Sequence, residues 1–268
     1  MNTFLNVFNT LKIIIAQIFN FLHIPEREHP KGRKPTLTNS EAVTVAVLKQ
    51  KQNVVTKKSL FEILEPPCEY NTFVRAINGV AKYLARIVTV LLQLAVHGDT
   101  HLIKFTDWTD IPVCLVKNAK HHKTMRELSG WSKNGKGWFY GLKLHLSGDL
   151  NGSVLALRLT RAGCDDRQVF KKMNEKLRGL FVADAGYLSE QLTQDFFIEG
   201  ERVLVTGVRG NMKKMATRAH IALLNLRMRV EIHFRVLKLC HGLITSFPRS
   251  IDGYLTHYLA AVCAYLLA

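Results

Sequence analysis

The stretch GWFYGLKLHLSGDL, residues 137–150, decides the fold of the second part of the chain. Its leucines alternate with polar residues that include Lys143 and His145, and this alternation is typical of a β-strand with one buried face. The segments 101–114 before it and 153–160 after it have the composition of two further strands. We therefore predict three consecutive strands that form an antiparallel meander.

After the meander, the predicted elements alternate between helix and strand. They are, in order, a helix at 167–177, a strand at 179–184, a helix at 189–198 and a strand at 202–208. Asp165 stands where a helix cap is expected, and Asp184 ends the strand GLFVAD. This order predicts a mixed α/β fold in which the first strand is central and the strand that ends in Asp184 lies beside it.

The first 98 residues have helical patterns instead. Predicted helices cover 4–22, 38–52, 57–64 and 71–96, the last with an interruption near Gly79. Thr38 and Glu41 have the spacing of a capping box. We predict a small all-helical domain at 1–98, followed at 99–268 by an α/β domain with helices flanking its sheet. A helix-turn-helix and an ordinary helical domain both remain open for the first part.

Composition favours a polyanionic partner. The 268 residues carry a net charge of +16, and nucleic acid is the commonest polyanion. An anionic membrane is the competing partner, but the apolar runs at 4–22 and 254–268 fall short of a continuous span, so we expect no membrane. The five cysteines form no CxxC pair, which suits a reducing cytoplasm and excludes a disulfide framework or a zinc finger.

Residues 117–143 combine basic and aromatic side chains. Seven Lys or Arg accompany a single acid, Glu127, and the interleaved aromatic residues are Trp131, Trp138, Phe139 and Tyr140. Such a mixture suits a strand of nucleic acid through phosphate pairing and base stacking. A solvated loop with buried aromatic side chains is the alternative interpretation.

A second basic region surrounds one carboxylate. Residues 202–249 contain ten Lys or Arg and a single acid, Glu231, which lies in the helix-like run LLNLRMRVEIHFRVLK at 223–238. Helical periodicity puts Glu231 at the edge of an apolar face. An ion pair with Arg227 or Arg235 is the simplest interpretation of this glutamate.

Two aspartates could meet this glutamate. Asp107 and Asp184 are expected on neighbouring strands, and the final helix could lay Glu231 over them. Three converging carboxylates would repel one another without a cation. Oxygen ligands favour Mg²⁺ or Mn²⁺, and two such ions about 3.5 to 4 Å apart can promote phosphodiester cleavage.

Several motifs resemble those of DDE transposases of bacterial insertion sequences, closest to the insertion sequence 982 group. They are FTDWTDIPVC, GWFYGLKLHL, FVADAGYLS, RGNMK and RMRVEIHFRVLK. Related transposases carry Tyr, two residues, Arg, three residues, Glu, six residues and Lys. Arg227, Glu231 and Lys238 keep this spacing, with Leu224 at the tyrosine position. The resemblance implies a ribonuclease H-like fold and transfer of element ends into target DNA. It also implies Asp107, Asp184 and Glu231 as catalytic ligands of two Mg²⁺ ions, with Mn²⁺ as a substitute.

The expected partner is double-stranded DNA, both as element ends and as target. The residues selected for DNA contact are Lys143, His145, Arg209, Lys213, Lys214, Arg227 and Lys238. The first helix could pair two copies into a homodimer on DNA, or pack onto its own domain. A nuclease that does not join DNA is a second hypothesis. A DNA-binding relic is a third, because Trp108, Ala185 and Leu224 depart from the family pattern.

Overall fold

The computed structural model describes residues 3–27, 35–207, 217–244 and 247–268. In chain order, the helices are α1 (Thr3–Phe21), α2 (Asn39–Lys51), α3 (Lys57–Leu64), α4 (Tyr70–Asn78), α5 (Ala81–His97), α6 (Asp166–Met173), α7 (Glu190–Phe196), α8 (Arg218–Leu226), α9 (Met228–Leu239) and α10 (Ile251–Leu266). The strands are β1 (Ile103–Pro112), β2 (Gly130–Asn134), β3 (Gly137–Asp149), β4 (Val154–Arg161), β5 (Gly179–Ala183) and β6 (Arg202–Thr206).

The chain forms two compact units. One contains residues 1–91 and 236–268, and the other contains residues 92–235. The predicted division at 98/99 differs from this one in its placement of the last 33 residues, which the structure groups with the amino-terminal helices. The physical reason is that α10 is apolar on most sides and packs against α2 and α4, whose buried faces need a cover.

The helical unit is organised around α2, whose residues from Ala42 to Gln50 are all buried. Thr38 and Glu41 form the predicted capping box at its start. Inside the unit, the Gln50 amide nitrogen lies 2.7 Å from Nδ1 of His257 on α10. The seam of α1 packs within this same unit, since Leu11, Ile15 and Phe19 are buried there. The seam therefore has a cover that requires no second copy of the chain.

The α/β unit contains one mixed sheet. Its strands follow the order β2-β3-β1-β5-β6, with β4 also paired to β3. β1, β3 and β4 are antiparallel, as predicted for the meander, whereas β1, β5 and β6 are parallel. The structure confirms a mixed α/β fold with flanking helices and an amino-terminal helical part. It also confirms that β1 is central and neighbours β5.

Strand alternation gives the sheet two distinct faces. One face carries Thr106 and Trp108 of β1 and packs on an aromatic core around Phe170 of α6 and Phe181 of β5. The opposite face carries Asp107 and is approached by α9. A side chain added at Gly148 on β3 would meet the imidazole of His233 at 2.9 Å, so glycine permits the close approach of that helix.

Two features differ from the predicted elements. The single helix expected over 223–238 is divided at Arg227, where α8 ends and α9 begins. Arg227 itself keeps right-handed helical angles, so no glycine or proline marks the break. The short strand β2 was not predicted, because its five residues GWSKN contain only one large apolar side chain.

One helix in the described part of the chain is long and apolar enough to cross a membrane by length and composition. It is the window Phe4–Phe21, and the pair α4 and α5, bent by 43°, passes the same test jointly. This differs from the expectation that residues 4–22 are too polar. Core helices and signal sequences share these properties, so the expected absence of a membrane partner stays a prediction.

Candidate active site

The strand register brings two of the predicted carboxylates side by side. Thr106 on β1 is the parallel partner of Ala183 on β5. Asp107 and Asp184 are the next residues after these partners, so both project from the same position along neighbouring strands. Asp184 also leaves β5 at its carboxyl end, where α/β sheets commonly bind ligands.

Arg227 joins these aspartates to the glutamate. Its Nη1 lies 2.5 Å from Oδ2 of Asp107, and its Nη2 lies 4.0 Å from Oδ1 of Asp184 and 3.8 Å from Oε1 of Glu231. The oxygens of Asp184 and Glu231 are therefore at most about 8 Å apart. The ion pair expected for Glu231 and Arg227 is present, and the same guanidinium also reaches both aspartates. We call Asp107, Asp184, Arg227 and Glu231 the carboxylate cluster.

The members of the carboxylate cluster differ in exposure. The side chains of Asp107 and Arg227 are 17% and 20% exposed, whereas those of Asp184 and Glu231 are 57% and 50% exposed. Half of the cluster is thus fixed in the fold, while the other half faces solvent. A charged ligand could reach the two open carboxylates without displacing the core.

Burial governs the electrostatics of Asp107. The pKa of its carboxyl is raised to about 6, mainly because the group is withdrawn from water. The backbone N–H of Trp108, which donates to Oδ1 at 2.8 Å, and the Arg227 guanidinium oppose this rise. The nearby charges of Asp184 and Glu231 reinforce it. An additional cation would favour the ionised form of all three carboxylates.

The cluster suits a divalent cation in ligand chemistry and in charge. Three carboxylates share one arginine, which leaves an excess of negative charge, and oxygen ligands are those that Mg²⁺ and Mn²⁺ prefer. No group of three His, Cys, Asp or Glu side chains in the described residues is arranged to hold a metal ion directly. In this structure, the guanidinium of Arg227 is the cation that the carboxylates share.

A buried tyrosine hydroxyl borders this region. Tyr187 follows Asp184 in a short 3-10 turn, is 2% exposed and stacks on Phe170 with ring centroids 5.6 Å apart. Its hydroxyl has no hydrogen-bond partner among the described residues. Burial raises the pKa of this phenol, and the charge of Asp107 raises it further. Tyr187 is therefore a neutral packing residue of the aromatic core.

Two residues selected for DNA contact lie in the interior. The Lys143 ammonium is paired with Asp166 at 2.6 Å and lies 4.2 Å from the ring centre of Trp108. This is the structural salt bridge that was the alternative to a phosphate contact. Nε2 of His145 lies 2.9 Å from the Thr160 hydroxyl, and burial lowers the pKa of His145 to about 3. His145 is therefore uncharged at neutral pH.

The remaining predicted DNA contacts are distributed differently. Arg227 belongs to the carboxylate cluster, as described above. Lys238 is a half-buried residue of α9 and falls in the other compact unit. Arg209, Lys213 and Lys214 lie outside the described residues, so their predicted role stays a prediction.

Comparison with known proteins agrees with this geometry. Residues 97–249 match the family described as Transposase DDE domain. The fold is similar to that of a piggyBac transposase solved by cryo-EM as a synaptic complex with hairpin DNA. The TM-score is 0.53 at 10% sequence identity, and the match covers 100% of this chain and 75% of the other. No curated protein sequence matches the chain.

The family match spans more than half of the 268 residues and contains Asp107, Asp184 and Glu231. The chain therefore belongs to the transposase DDE domain family. The resemblance predicted from the sequence motifs is confirmed at this level, whereas the insertion sequence 982 group remains a prediction.

Proposed function

We propose that this protein is a transposase that cleaves DNA at the ends of a bacterial insertion sequence and joins those ends to target DNA with the help of divalent metal ions. One observation carries the proposal. Carboxylates separated by 77 and 47 residues in sequence, Asp107, Asp184 and Glu231, lie around a single guanidinium at the edge of the sheet. Membership of the transposase DDE domain family supports the same conclusion.

In this proposal, Asp107, Asp184 and Glu231 hold two Mg²⁺ ions, with Mn²⁺ as a substitute. Bound ions of this kind supply an activated water and stabilise the leaving oxygen of a phosphodiester. The more buried carboxylate, Asp107, is fixed by the Trp108 N–H and by Arg227, so it would define the position of the site. The more exposed Asp184 and Glu231 can adjust to the incoming charge.

Electrostatics explain why the protein residues alone do not complete the site. With one arginine for three carboxylates, the cluster carries about two excess negative charges when all are ionised, and it would repel a phosphate. Divalent cations reverse that sign. The chain as a whole, at +16, attracts DNA over longer distances.

The finer structural assignments belong to the same proposal. The strand order supports a ribonuclease H-like catalytic domain, and the helical region at 1–98 is proposed to contribute DNA binding. A homodimer on DNA, with element ends and target as ligands, completes this hypothesis. The basic connector at 25–35 supports the DNA-binding role through its composition.

A strand-transfer assay tests the proposed function. The full-length protein is mixed with labelled element ends and a supercoiled target in Mg²⁺, in Mn²⁺ or in EDTA. We expect nicked ends and joined products with either metal and neither product in EDTA. Nicks without joined products would identify a nuclease. Binding of the ends without nicks in any metal would identify a DNA-binding relic and would refute the proposal.

A further inference from the structure

An exposed two-stranded ribbon, residues 130–141 of β2 and β3, forms an aromatic and basic surface away from the carboxylate cluster. In its antiparallel register, Trp131 is opposite Tyr140 and Lys133 is opposite Trp138. Directly opposed residues project from the same face of an antiparallel pair. The register therefore places two tryptophans, one tyrosine and one lysine on one face, which we call the aromatic ribbon.

The tryptophans of the aromatic ribbon are unusually accessible. Trp138 is 62% exposed and Trp131 is 44% exposed, while Tyr140 is buried with its ring centroid 5.3 Å from that of Trp131. The third tryptophan of the chain, Trp108, is instead packed between Phe139 and the Lys143 ammonium. Large aromatic side chains exposed on a rigid strand pair are typical of binding surfaces.

The charge of the aromatic ribbon is positive only. Lys133 and Lys136 are exposed, residues 130–141 contain no acid, and neither lysine forms an ion pair with any residue that the structure describes. An apolar protein partner would gain little from unpaired lysines. A ligand with planar rings and regularly spaced negative charges would use both kinds of side chain.

A small cavity adjoins Trp138. Its volume is about 230 Å³, and Leu115, Val116, Phe139 and the turn residue Lys136 contribute to its lining. Pockets for drug-sized ligands start at roughly 300 Å³, so this cavity suits a single planar ring group. Leu115 and Val116 are 56% and 49% exposed, which extends the apolar surface around Trp138.

The aromatic ribbon shares a sheet face with the carboxylate cluster. Asp107 pairs with Leu146 on β3, and strand alternation puts Trp138 on the same face as Leu146. Eight residues separate these two positions, which corresponds to about 26 Å along the strand. Contacts at the aromatic ribbon are thus too distant for the reacting phosphate and would involve a flanking portion of the nucleic acid.

We propose that the aromatic ribbon binds unpaired nucleotides of a DNA strand, with bases stacked on Trp131 and Trp138 and phosphates paired with Lys133 and Lys136. Stacking on aromatic side chains beside a basic track is the general mode of single-strand recognition. The inference rests on the proposed function, because a DNA-joining enzyme exposes single strands beside the cut. The residues of the aromatic ribbon bind and position this strand without touching the reacting atoms.

Tryptophan fluorescence tests the proposal directly, because two of the three tryptophans lie on the aromatic ribbon. The full-length protein is titrated with a short oligothymidylate in EDTA, where no cleavage occurs. We expect quenching that weakens as salt rises. Replacing Trp138 by alanine should weaken binding roughly tenfold, while Trp138→Phe should retain most of it, since phenylalanine still stacks.

Matched variants separate the aromatic ribbon from the remaining surface. Binding should weaken in the double variant Lys133→Ala and Lys136→Ala. It should be unchanged in Lys172→Ala and in Phe197→Ala, which remove an exposed lysine and an exposed aromatic side chain elsewhere in the same unit. Circular dichroism of each variant checks that the sheet is intact. Equal affinity in Trp138→Ala and Phe197→Ala would overturn the proposal.

Two further arms distinguish other causes. Vesicles with anionic lipids are titrated in parallel, and a blue shift with vesicles but no quenching with oligothymidylate would identify a membrane contact and refute the inference. The same oligonucleotide titration on the Asp107→Asn variant should give wild-type quenching. Loss of strand transfer with intact quenching would contradict the proposed function alone, whereas strand transfer without quenching would contradict the aromatic ribbon alone.

Discussion

The two faces of the sheet bury similar residue types in opposite ways. On the face covered by α6, each charge has its own partner, as Lys143 has Asp166 at 2.6 Å and Lys104 has Asp99 at 2.8 Å. The hydroxyls of Thr106 and Ser147 are 2.6 Å apart on this same face. On the face approached by α9, the three acids of the carboxylate cluster share one cation, Arg227.

This difference separates a structural role from a functional one. A buried pair with matched charges satisfies itself and needs nothing from solvent. An unmatched group of carboxylates retains affinity for further cations, and two of its three acids remain open to them. We therefore assign chemistry to the face of Asp107 and stability to the face of Lys143.

The largest effect expected from this comparison concerns activity. Replacing Asp107 by asparagine removes a negative oxygen from the cluster, so metal-dependent cleavage should fall by more than about a hundredfold. DNA binding should change little, because the chain remains strongly basic. The strand-transfer assay and a gel-shift titration measure the two properties.

Asp110→Asn is the matched control for this variant. It lies three residues further along β1, and its side chain belongs to the opposite face. We expect it to retain cleavage within about threefold, as for a residue outside the reacting site. Comparable losses in both variants would mean that cleavage reports the stability of β1 and not the position of the carboxylate.

The next effect concerns stability on the face of α6. Asp166→Asn would leave the Lys143 ammonium, whose side chain is 5% exposed, without an anion. Breaking a buried ion pair in this way costs about 3 kcal/mol of unfolding free energy. Asp195→Asn, which breaks the exposed pair with Lys171, should cost less than about 1 kcal/mol. Urea denaturation at neutral pH tests this order, and equal costs would contradict the structural role of Lys143.

Local sequence patterns predicted those parts of the fold that depend on neighbouring residues. Alternating leucines defined β3, a capping box defined α2, and an apolar run ending in an acid defined β5 and Asp184. The adjacency of Asp107 and Asp184 could be predicted because parallel neighbours end at the same edge of a sheet.

Features that depend on distant partners could not be predicted in this way. Lys143 alternates with leucines as a solvent-facing residue would, yet α6 covers it and supplies Asp166 from 23 positions further along the chain. The break at Arg227 has no local signal, since this residue keeps helical angles. The exposure of Trp131 and Trp138 likewise depends on β2, whose short polar sequence gives little periodic signal.

A smaller effect concerns pH. His145 has its pKa lowered to about 3 by burial and by the charges of Lys143 and Arg158, so it stays neutral when folded but accepts a proton below about pH 6.5 when unfolded. Its contribution to stability is therefore lost as pH falls from 6.5 towards 3. At pH 5 the loss is about 2 kcal/mol.

His145→Gln should remove that part of the acid sensitivity, because glutamine can still bond to Thr160 and does not titrate. Urea denaturation at pH 8 and pH 5 should show a loss of unfolding free energy about 2 kcal/mol larger in wild type than in the variant. His257, whose pKa is also lowered to about 3, contributes equally to both proteins. Identical losses would show that His145 reaches solvent in the folded protein.

The smallest effect concerns the cation that the carboxylates share. Arg227→Met leaves three acids without a counter-charge, so in EDTA the melting temperature should fall by a few degrees, equivalent to about 1 kcal/mol because two of the acids are half exposed. Millimolar Mg²⁺ should restore part of this loss, since the cluster then gains a cation. Arg235→Met removes an exposed arginine from the same helix and is the control. A Mg²⁺-dependent shift that is equal in the two variants would mean that the carboxylates do not bind the ion, and the face of Asp107 would then lose the property that distinguishes it from the face of Lys143.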